Sequence, residues 1–478
     1  MRFIGNAPVD GEVRAVASGA LATGDTVLVN SDGTVSVVAE TSEVIGSPNV
    51  FESGVTQEIS VAFDSSNNKV VIAYKDESDS NKGKAIVGTV GASSISFGSE
   101  VIFETGSTAE TVIVFDGSNN KVVVAYKDNG NSGYGTAIVG SVSGTSISFG
   151  TAVVFKSNSV TGIGATFDSN SNKVVVTYRD NSAGGDGTAN VGTVSGTSIS
   201  FGSSVTFTTS NSTETSTVFD SSNNKVVIAY RDLQTSDIGT CVVGTVSGTS
   251  ISFGTPVVFE NAAVTFIAAA FDSNSNKAVI SYRVTSTTYG NSIVGTVSGT
   301  SISFGSPVVF EAADASEISS TFDTNVNKVV VVYRDSGNSN YGTRTLGSVS
   351  GTSISFDSPV VFESANTDNT SCTFDSSSNK VVIAYRDEGF SDRGTATFFK
   401  PTTFNLTSEN FVGFANSGYA DGQSAALNST CSVDKNQSGL TAGETYYVQT
   451  DGSLGATPAS PSVVAGTAIS SNSIIVKG

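Results

Sequence analysis

The sequence predicts an all-β ring, a seven-bladed β-propeller of four-stranded blades, on three observations. The dipeptide Phe-Asp, followed after three further residues by Asn-Lys, returns seven times, at Phe63, Phe115, Phe167, Phe219, Phe271, Phe322 and Phe374, at intervals of 52 residues with a single one of 51. Every copy carries the same phrases rich in Val, Ile, Thr, Phe and Tyr, bounded by Gly, Ser, Asn or Asp. The last copy lacks its fourth phrase, and a matching phrase stands near the N-terminus.

In the third copy the phrases are "VTGIGATFD", "NKVVVTYRD", "GTANVGTVSG" and "TSISFGSSVTF", each read as one strand. The second is an unbroken apolar run, Val226 to Tyr230 in the fourth copy, and a strand that does not alternate is packed on both faces. "SSNN" and "SNSN" between strands 1 and 2 read as Asx-rich turns, and "VSGTS" between strands 3 and 4 as a tight hairpin with Gly free to take a positive φ. Four antiparallel strands per unit, buried on both sides, fit stacked blades around an axis. The seventh copy ends after strand 3. "TSEVIGSPNVFE" at 41–52 matches the missing "TSISFGSPVVFE" at Thr41, Ser42, Gly46, Ser47, Pro48, Val50, Phe51 and Glu52. A strand over 41–51 is therefore expected to complete the last blade and remove an open edge.

This divides the chain into an N-terminal β segment, 1–40, the propeller, 41–399, and a small C-terminal β domain, 400–478. "GALATGDTVLVNSDGTV" (19–35) parallels "SGLTAGETYYVQTDGSL" (438–454), each a strand pair around an Asp-Gly turn. The terminal pieces are expected to build one small all-β module, an attachment or homo-oligomerisation point.

Alternate connections of a meander fall on opposite ends of the ring. The 1–2 turns and 3–4 hairpins are monotonous. The 2–3 loops differ from copy to copy ("NGNSGYGT", "NSAGGDGT", "LQTSDIGT"), and so do the 4–1 connections ("SGVTQEI", "TGSTAET", "NAAVTFI"). Diversity gathered on one end of a rigid scaffold is the pattern of binding loops, though tight turns on the other end alone would also produce the contrast. Tyr134, Tyr289, Tyr341 and Phe390 in the diverse loops are the candidate ligand-binding residues, able to stack on sugar rings.

Composition narrows the chemistry. With 43 Asp+Glu against 24 Lys+Arg the net charge is -19, which repels phosphate backbones and argues against nucleic-acid partners. There is no His, so neither a Ser-His-Asp triad nor a His-based metal site can be built. Cys241, Cys372 and Cys431 are too few and scattered for a disulfide framework and read as buried or idle thiols of a reducing cytoplasm. No stretch approaches the ~20 apolar residues of a membrane helix, and "MRFIGNAPVDGEVRAV" has no apolar export core, so neither membrane insertion nor a standard signal is expected.

The "Y-[KR]-D" that closes strand 2 is repeated in six copies, with Val284 replacing the Asp in the fifth. An active site needs unlike groups converging once, so a loop-anchoring carboxylate is the expectation. "DSNSN" at 168–172 and 272–276 spaces its oxygens like part of a calcium loop but lacks the Gly and the distal Glu; an Asx turn is the expectation and calcium the alternative. The hairpin phrase is similar in position to the Asp-box of sialidases but has no Asp, and no cluster of three arginines is apparent. No catalytic residue and no cofactor are assigned, and the chain is not read as an enzyme.

The repeat, as in "GTVSGTSISFGSPVVFE" (295–311) and "FDSNSNKVVVTYRD" (167–180), resembles repeats in structural proteins of tailed bacteriophages, especially those of marine hosts such as cyanobacteria. Residues 405–470 resemble a module at the ends of phage fibre-like proteins. The resemblance implies a virion appendage assembled in the host cytoplasm. Its partners would be other virion proteins and a host-surface polysaccharide or receptor. A capsid decoration or spacer protein, and a bacterial lectin or adhesin, are the alternatives.

Overall fold

The computed structural model describes residues 12–459 and 461–477; residues 1–11, most of the stretch inspected for an export signal, lie outside these. The chain divides into two compact units, Ile45–Lys400 and a second made of Met1–Val44 with Pro401–Gly478.

The first unit is the ring. Its 28 strands follow one another in antiparallel order, four to a blade, and the order closes on itself. Each second strand, such as Lys69–Asp76 or Lys225–Asp232, is buried along its whole centre, as the unbroken apolar run requires. The apolar cores lie between blades: one contains Val70, Ile72 and Tyr74 of the first blade with Val382, Ala384 and Phe398 of the last.

Two phrases fold differently from the expectation. The fourth strand is in two pieces. In the third blade Ser198–Phe201 pairs with the end of strand 3, and after a break at 202–204 the chain pairs again with its beginning. The second piece does not end in a loop. It runs on as one sixteen-residue strand, Val205–Asp220, whose far half is the innermost strand of the next blade. The supposed 4–1 loops are thus hydrogen-bonded arches inside a crossing strand. A β-bulge marks each arch, for example between Thr213 and Ser216.

The turns follow from side-chain chemistry. The Asp of each Phe-Asp is buried and accepts the backbone N–H groups two and three residues on, as Asp64 Oδ1 does from Ser66 (2.9 Å) and Asn67 (3.1 Å). Asn68 and its six equivalents then take a left-handed φ of 51 to 56°. In "DSNSN" the Asp168 oxygens bond Asn170 N, Ser171 N and Ser171 Oγ, which is the Asx turn. The 3–4 hairpins place Gly144 and its counterparts at φ near 61°. Each hairpin is seated against the preceding blade: a Cβ at Gly202 would stand 1.9 Å from the Thr249 carbonyl oxygen. The sixth copy alone has Asp357 at this position, and the blade after it has no 3–4 hairpin to receive.

The ring is closed by the N-terminal segment, starting at Val44. Gly46 N donates to Phe398 O (2.7 Å), and Asn49, Val50 and Glu52 pair with Ala396, Thr395 and Gly394. Thr41, included in the expected closing strand, pairs instead with Thr403 in the other unit. Lys380 adds a latch: its ammonium sits 3.8 Å from the Phe398 ring centroid and donates to Gly91 O of the first blade.

The second unit holds two five-stranded antiparallel sheets. One is ordered Glu12–Val16, Ser424–Asn428, Phe411–Ala415, Thr26–Val29, Val35–Val37. The other is ordered Val433–Asp434, Ser473–Val476, Val463–Ser470, Thr445–Val448, Leu454–Gly455. Numbered along the chain within each sheet, both read 1-5-4-2-3. The two repeated phrases occupy equivalent hairpins. Asp32 Oδ1 accepts from Thr34 N and Asp451 Oδ1 from Ser453 N, each at 2.9 Å, and Gly33 and Gly452 take φ of 83 and 85°. Leu28 and Phe414 of one sheet share a core with Tyr446, Val448 and Ile474 of the other. The unit is therefore a duplicated fold, and the whole ring is inserted between strands 3 and 4 of its first copy.

Gly202→Ala is expected to destabilise the ring by about 1–3 kcal/mol through overpacking against Thr249, whereas Asp357→Ala stays close to wild type; urea denaturation of the pair measures both. A second outcome concerns Asp323. Val326 replaces the Asn or Ser that bonds the second carboxylate oxygen elsewhere (Asn67 Nδ2 to Asp64 Oδ2, 2.9 Å), leaving Asp323 Oδ2 buried without a partner. Burial raises the Asp323 pKa above 3.8, so its contribution to stability is lost as pH rises from there through the raised value. Val326→Asn is expected to gain about 1 kcal/mol at neutral pH, with a smaller gain in acid.

Candidate functional site

One construction is repeated at the diverse end of all seven blades. A Phe of the crossing strand packs on the Tyr that closes strand 2, with centroids 5.1–5.5 Å apart. The Gly that opens strand 3 lies against that Phe; a Cβ at Gly187 would meet the Phe207 ring at 2.3 Å. The seven tyrosines are fully buried, so each hydroxyl needs a partner. In five blades it is the Glu that follows the Phe: Glu52, Glu104, Glu260, Glu311 and Glu363, at 2.7–3.2 Å. The other carboxylate oxygen of four of these accepts a backbone N–H of the arch two residues on, as Glu104 does from Gly106 (2.7 Å). Lys156 and Thr208 stand at this position in the third and fourth blades. Tyr178 turns there to Asn190 Oδ1 at 2.6 Å, and Lys156 pairs with Asp180.

The Asp of "Y-[KR]-D" caps the 2–3 loop. Asp128, Asp180, Asp232 and Asp335 accept from a backbone N–H of a short 3-10 turn at 3.0–3.1 Å. The fifth blade, with Val284, has no such turn, and its loop is the shorter one. The cap alone does not decide the turn: the first blade keeps Asp76, which accepts from Ser78 N and Asp79 N, without a 3-10 turn, and Glu388–Phe390 forms one although Asp387 makes no side-chain cap. The adjacent bases reach acids around them: Arg231 contacts Glu214 and Asp237, each at 3.1 Å, and Arg386 contacts Asp392 at 2.9 Å.

Inside this ring of bases the bulge residues form a second ring. Glu58, Glu110, Glu214, Phe266, Glu317 and Asn369 have φ of 48–55°, and Gly162 has 59°. Such a conformation costs a non-glycine residue of order 1 kcal/mol or more, and here each is tied to its neighbour. Asn369 Oδ1 accepts from Glu58 N (2.8 Å), Glu110 Oε2 from Gly162 N (3.0 Å) and Glu214 Oε2 from Phe266 N (2.6 Å). Burial, then the nearby Asp368, pushes the Glu317 carboxyl up to about 7; burial and Glu58 raise Glu110. This axial ring escaped the sequence reading; its signal was the Glu recurring in "QEI", "AET", "TET" and "SEI".

The four aromatic candidates occupy separate blades. Tyr134, Tyr289 and Tyr341 all open strand 3, with Tyr289 the most exposed of them at 38%. Phe390 lies in the 2–3 turn of the last blade, is 52% exposed, and has Arg393 stacked at 4.1 Å from its centroid. They do not form one aromatic cluster. Tyr289, Tyr341 and Phe390 follow on consecutive blades, and Tyr134 is apart from them.

A set of charges that occurs once was also missed. In the first blade Lys84 replaces the Thr or Asn of the other copies and Glu100 replaces Pro, Ala or Ser. Lys84 is 5% exposed and lies 2.7 Å from Asp76, 2.9 Å from Glu100 and 3.7 Å from Glu52. Beside it a cleft of about 390 Å3 is lined by Val50, Phe51, Glu52, Ser53, Ile86, Gly98 and Glu100, at the junction of the last and first blades.

No protein-family model matches this chain, and no curated protein matches it. Solved structures do. The BP39L lectin from Burkholderia pseudomallei superposes with a TM-score of 0.56 at 11% identity, over 74% of this chain and 99% of that one. AofleA from Arthrobotrys oligospora gives 0.43 at 11% identity, over 72% and 96%. A protein from Lactobacillus plantarum gives 0.46 at 13% identity, over 63% and 84%. At these identities the first establishes a shared fold, and the lower scores add nothing to it.

The Glu317 carboxyl sets a pH dependence. Its raised pKa means that its contribution to stability is present below about 4.5 and is lost as pH rises through about 7. Denaturation midpoints of wild type and Glu317→Gln are expected to diverge across that window, with the variant gaining relative stability toward pH 8.

Proposed function

We propose that the ring is a lectin head, a non-enzymatic β-propeller that binds glycans at the end bearing the 2–3 loops and arches. The observation that carries this is Phe390. It is an exposed aromatic ring held on a guanidinium, on the one end of the ring whose loops differ between blades. A ring fixed on one face and open on the other offers a flat apolar surface to the C–H face of a sugar at little entropic cost. Tyr289 and Tyr341 on the preceding blades extend the same end. The fold is shared with BP39L, a lectin, which supports the reading.

As the setting we propose a virion appendage, which the likeness of the repeats and tail to phage fibre proteins supports. The duplicated terminal unit would then be the part that meets other virion proteins. Gold-labelled antibody against the chain, applied to purified particles, decorates an appendage if this holds; labelling of free protein alone would rule it out.

For binding itself, the full chain on a glycan array is expected to retain defined sugars, and Phe390→Ala to weaken that binding about tenfold, or about 1.4 kcal/mol. An array on which wild type retains nothing would remove the lectin reading.

A further inference from the structure

The junction of the last and first blades differs from the other six in ways that the ring does not need. Lys84 and Glu100 replace residues that every other blade manages without, and the second blade does the same structural work with Thr136 and Ala152. Tyr74 Oη lies 3.2 Å from Glu52 Oε2 and 3.1 Å from Glu100 Oε2, so one hydroxyl links two carboxylates. Lys84 holds the arrangement from beneath, with Asp76 on one side and Glu100 on the other. A buried ammonium costs several kcal/mol unless paired this closely, and hydrophobic or neutral substitutes are available. Glu52 and Glu100 face the cleft, and Phe51 forms part of its wall. Gly394 pairs with Glu52 and Arg393 with Val55, so the strand that carries the Phe390–Arg393 stack runs alongside the strand lining this cleft.

We propose that this cleft is the principal sugar subsite, and that it selects neutral sugars by accepting adjacent hydroxyls on Glu52 and Glu100. The inference rests on the lectin reading and names the site and class within it. The volume accommodates a single pyranose ring. Its charges decide the class. Four carboxylates, Glu52, Glu100, Asp76 and Asp79, surround one Lys84, so a uronic or sialic acid meets net repulsion. Lys84 already occupies the cationic position between Asp76 and Glu100, which leaves no comparable seat for an amino sugar's ammonium. Burial raises the Glu52 carboxyl, while Glu100, opposed by burial but held by Lys84, is lowered. A carboxylate accepts and a sugar hydroxyl donates, so the two side chains complement a pair of adjacent hydroxyls.

The test compares wild type with the charge-balanced double variant Lys84→Thr, Glu100→Ala, which gives the first blade the residues of the second. Both are full chains, checked by circular dichroism and melting temperature. The probes are galactose, mannose, fucose, N-acetylglucosamine, glucosamine, glucuronic acid and sialic acid on one array, with titration calorimetry of any hit. The inference expects wild type to hold one or more neutral sugars and the folded double variant to lose at least tenfold in affinity for them. Neutral-sugar binding unchanged in the double variant overturns the inference and leaves the lectin reading standing. So does binding confined to glucosamine or to the acidic sugars. No sugar bound by wild type removes both.

Discussion

Each blade is placed by the sixteen-residue strand that begins on the outer edge of the blade before it and ends at the axis within it. Val205–Asp220 belongs to two sheets at once, pairing with strand 3 of one blade and strand 2 of the next. No blade can then be complete alone, because its outer edge is the entry to its successor. The seventh blade finds no successor in the chain and takes its outer strand from residues 44–55. Closure is thus a consequence of how the strands are shared, and it covers strand 3 of the last blade, so that each blade presents only a short outer edge.

The arches that these strands make are where structure and function divide. A turn from the outer edge to the axis would leave backbone groups unpaired. In four blades the Glu that follows the Phe bonds the arch N–H with one oxygen and the buried Tyr with the other, as Glu52 and Glu104 do. Bulge residues tie several neighbouring arches together, as Glu110 does with Gly162 and Glu214 with Phe266. With the backbone so fixed, the loop side chains beyond it can change without loss of the ring. The seven copies serve as internal controls: what all of them keep is required by the fold, and what one alone contains, such as Lys84 with Glu100, calls for another cause.

The repeat, the blade count and the closing phrase could be read from the chain because each leaves a local mark: a period, an apolar run, a matching phrase. The turn roles were equally legible, since Asp64 or Gly144 acts on residues two or three away. The arches were not. Their segments are polar and varied, as loops are, and only the register shows that "SGVTQEI" is paired on both halves. The cleft was hidden for a related reason. Glu52, Lys84 and Glu100 lie in three phrases, and nothing short of strand pairing brings them within 4 Å. Phe390 and Tyr289 could be chosen as exposed aromatics from their loops, but not the Arg393 that holds one of them flat.

The duplicated unit explains how so large a ring can be carried. In the second copy only residues 456–462 separate strand 3 from strand 4, whereas in the first copy the same connection holds the propeller. An insertion is tolerated where its two ends lie side by side, because the host then pays no more than for a short loop. The ring meets that condition by construction: the segment that closes the last blade and the strand that ends it are hydrogen-bonded to each other, Gly46 to Phe398. Just outside, Glu40–Thr41 pairs with Thr403–Phe404, so the two segments that flank the ring stay side by side. The strand exchange that seals the propeller therefore also makes it insertable, and one set of hydrogen bonds serves both ends.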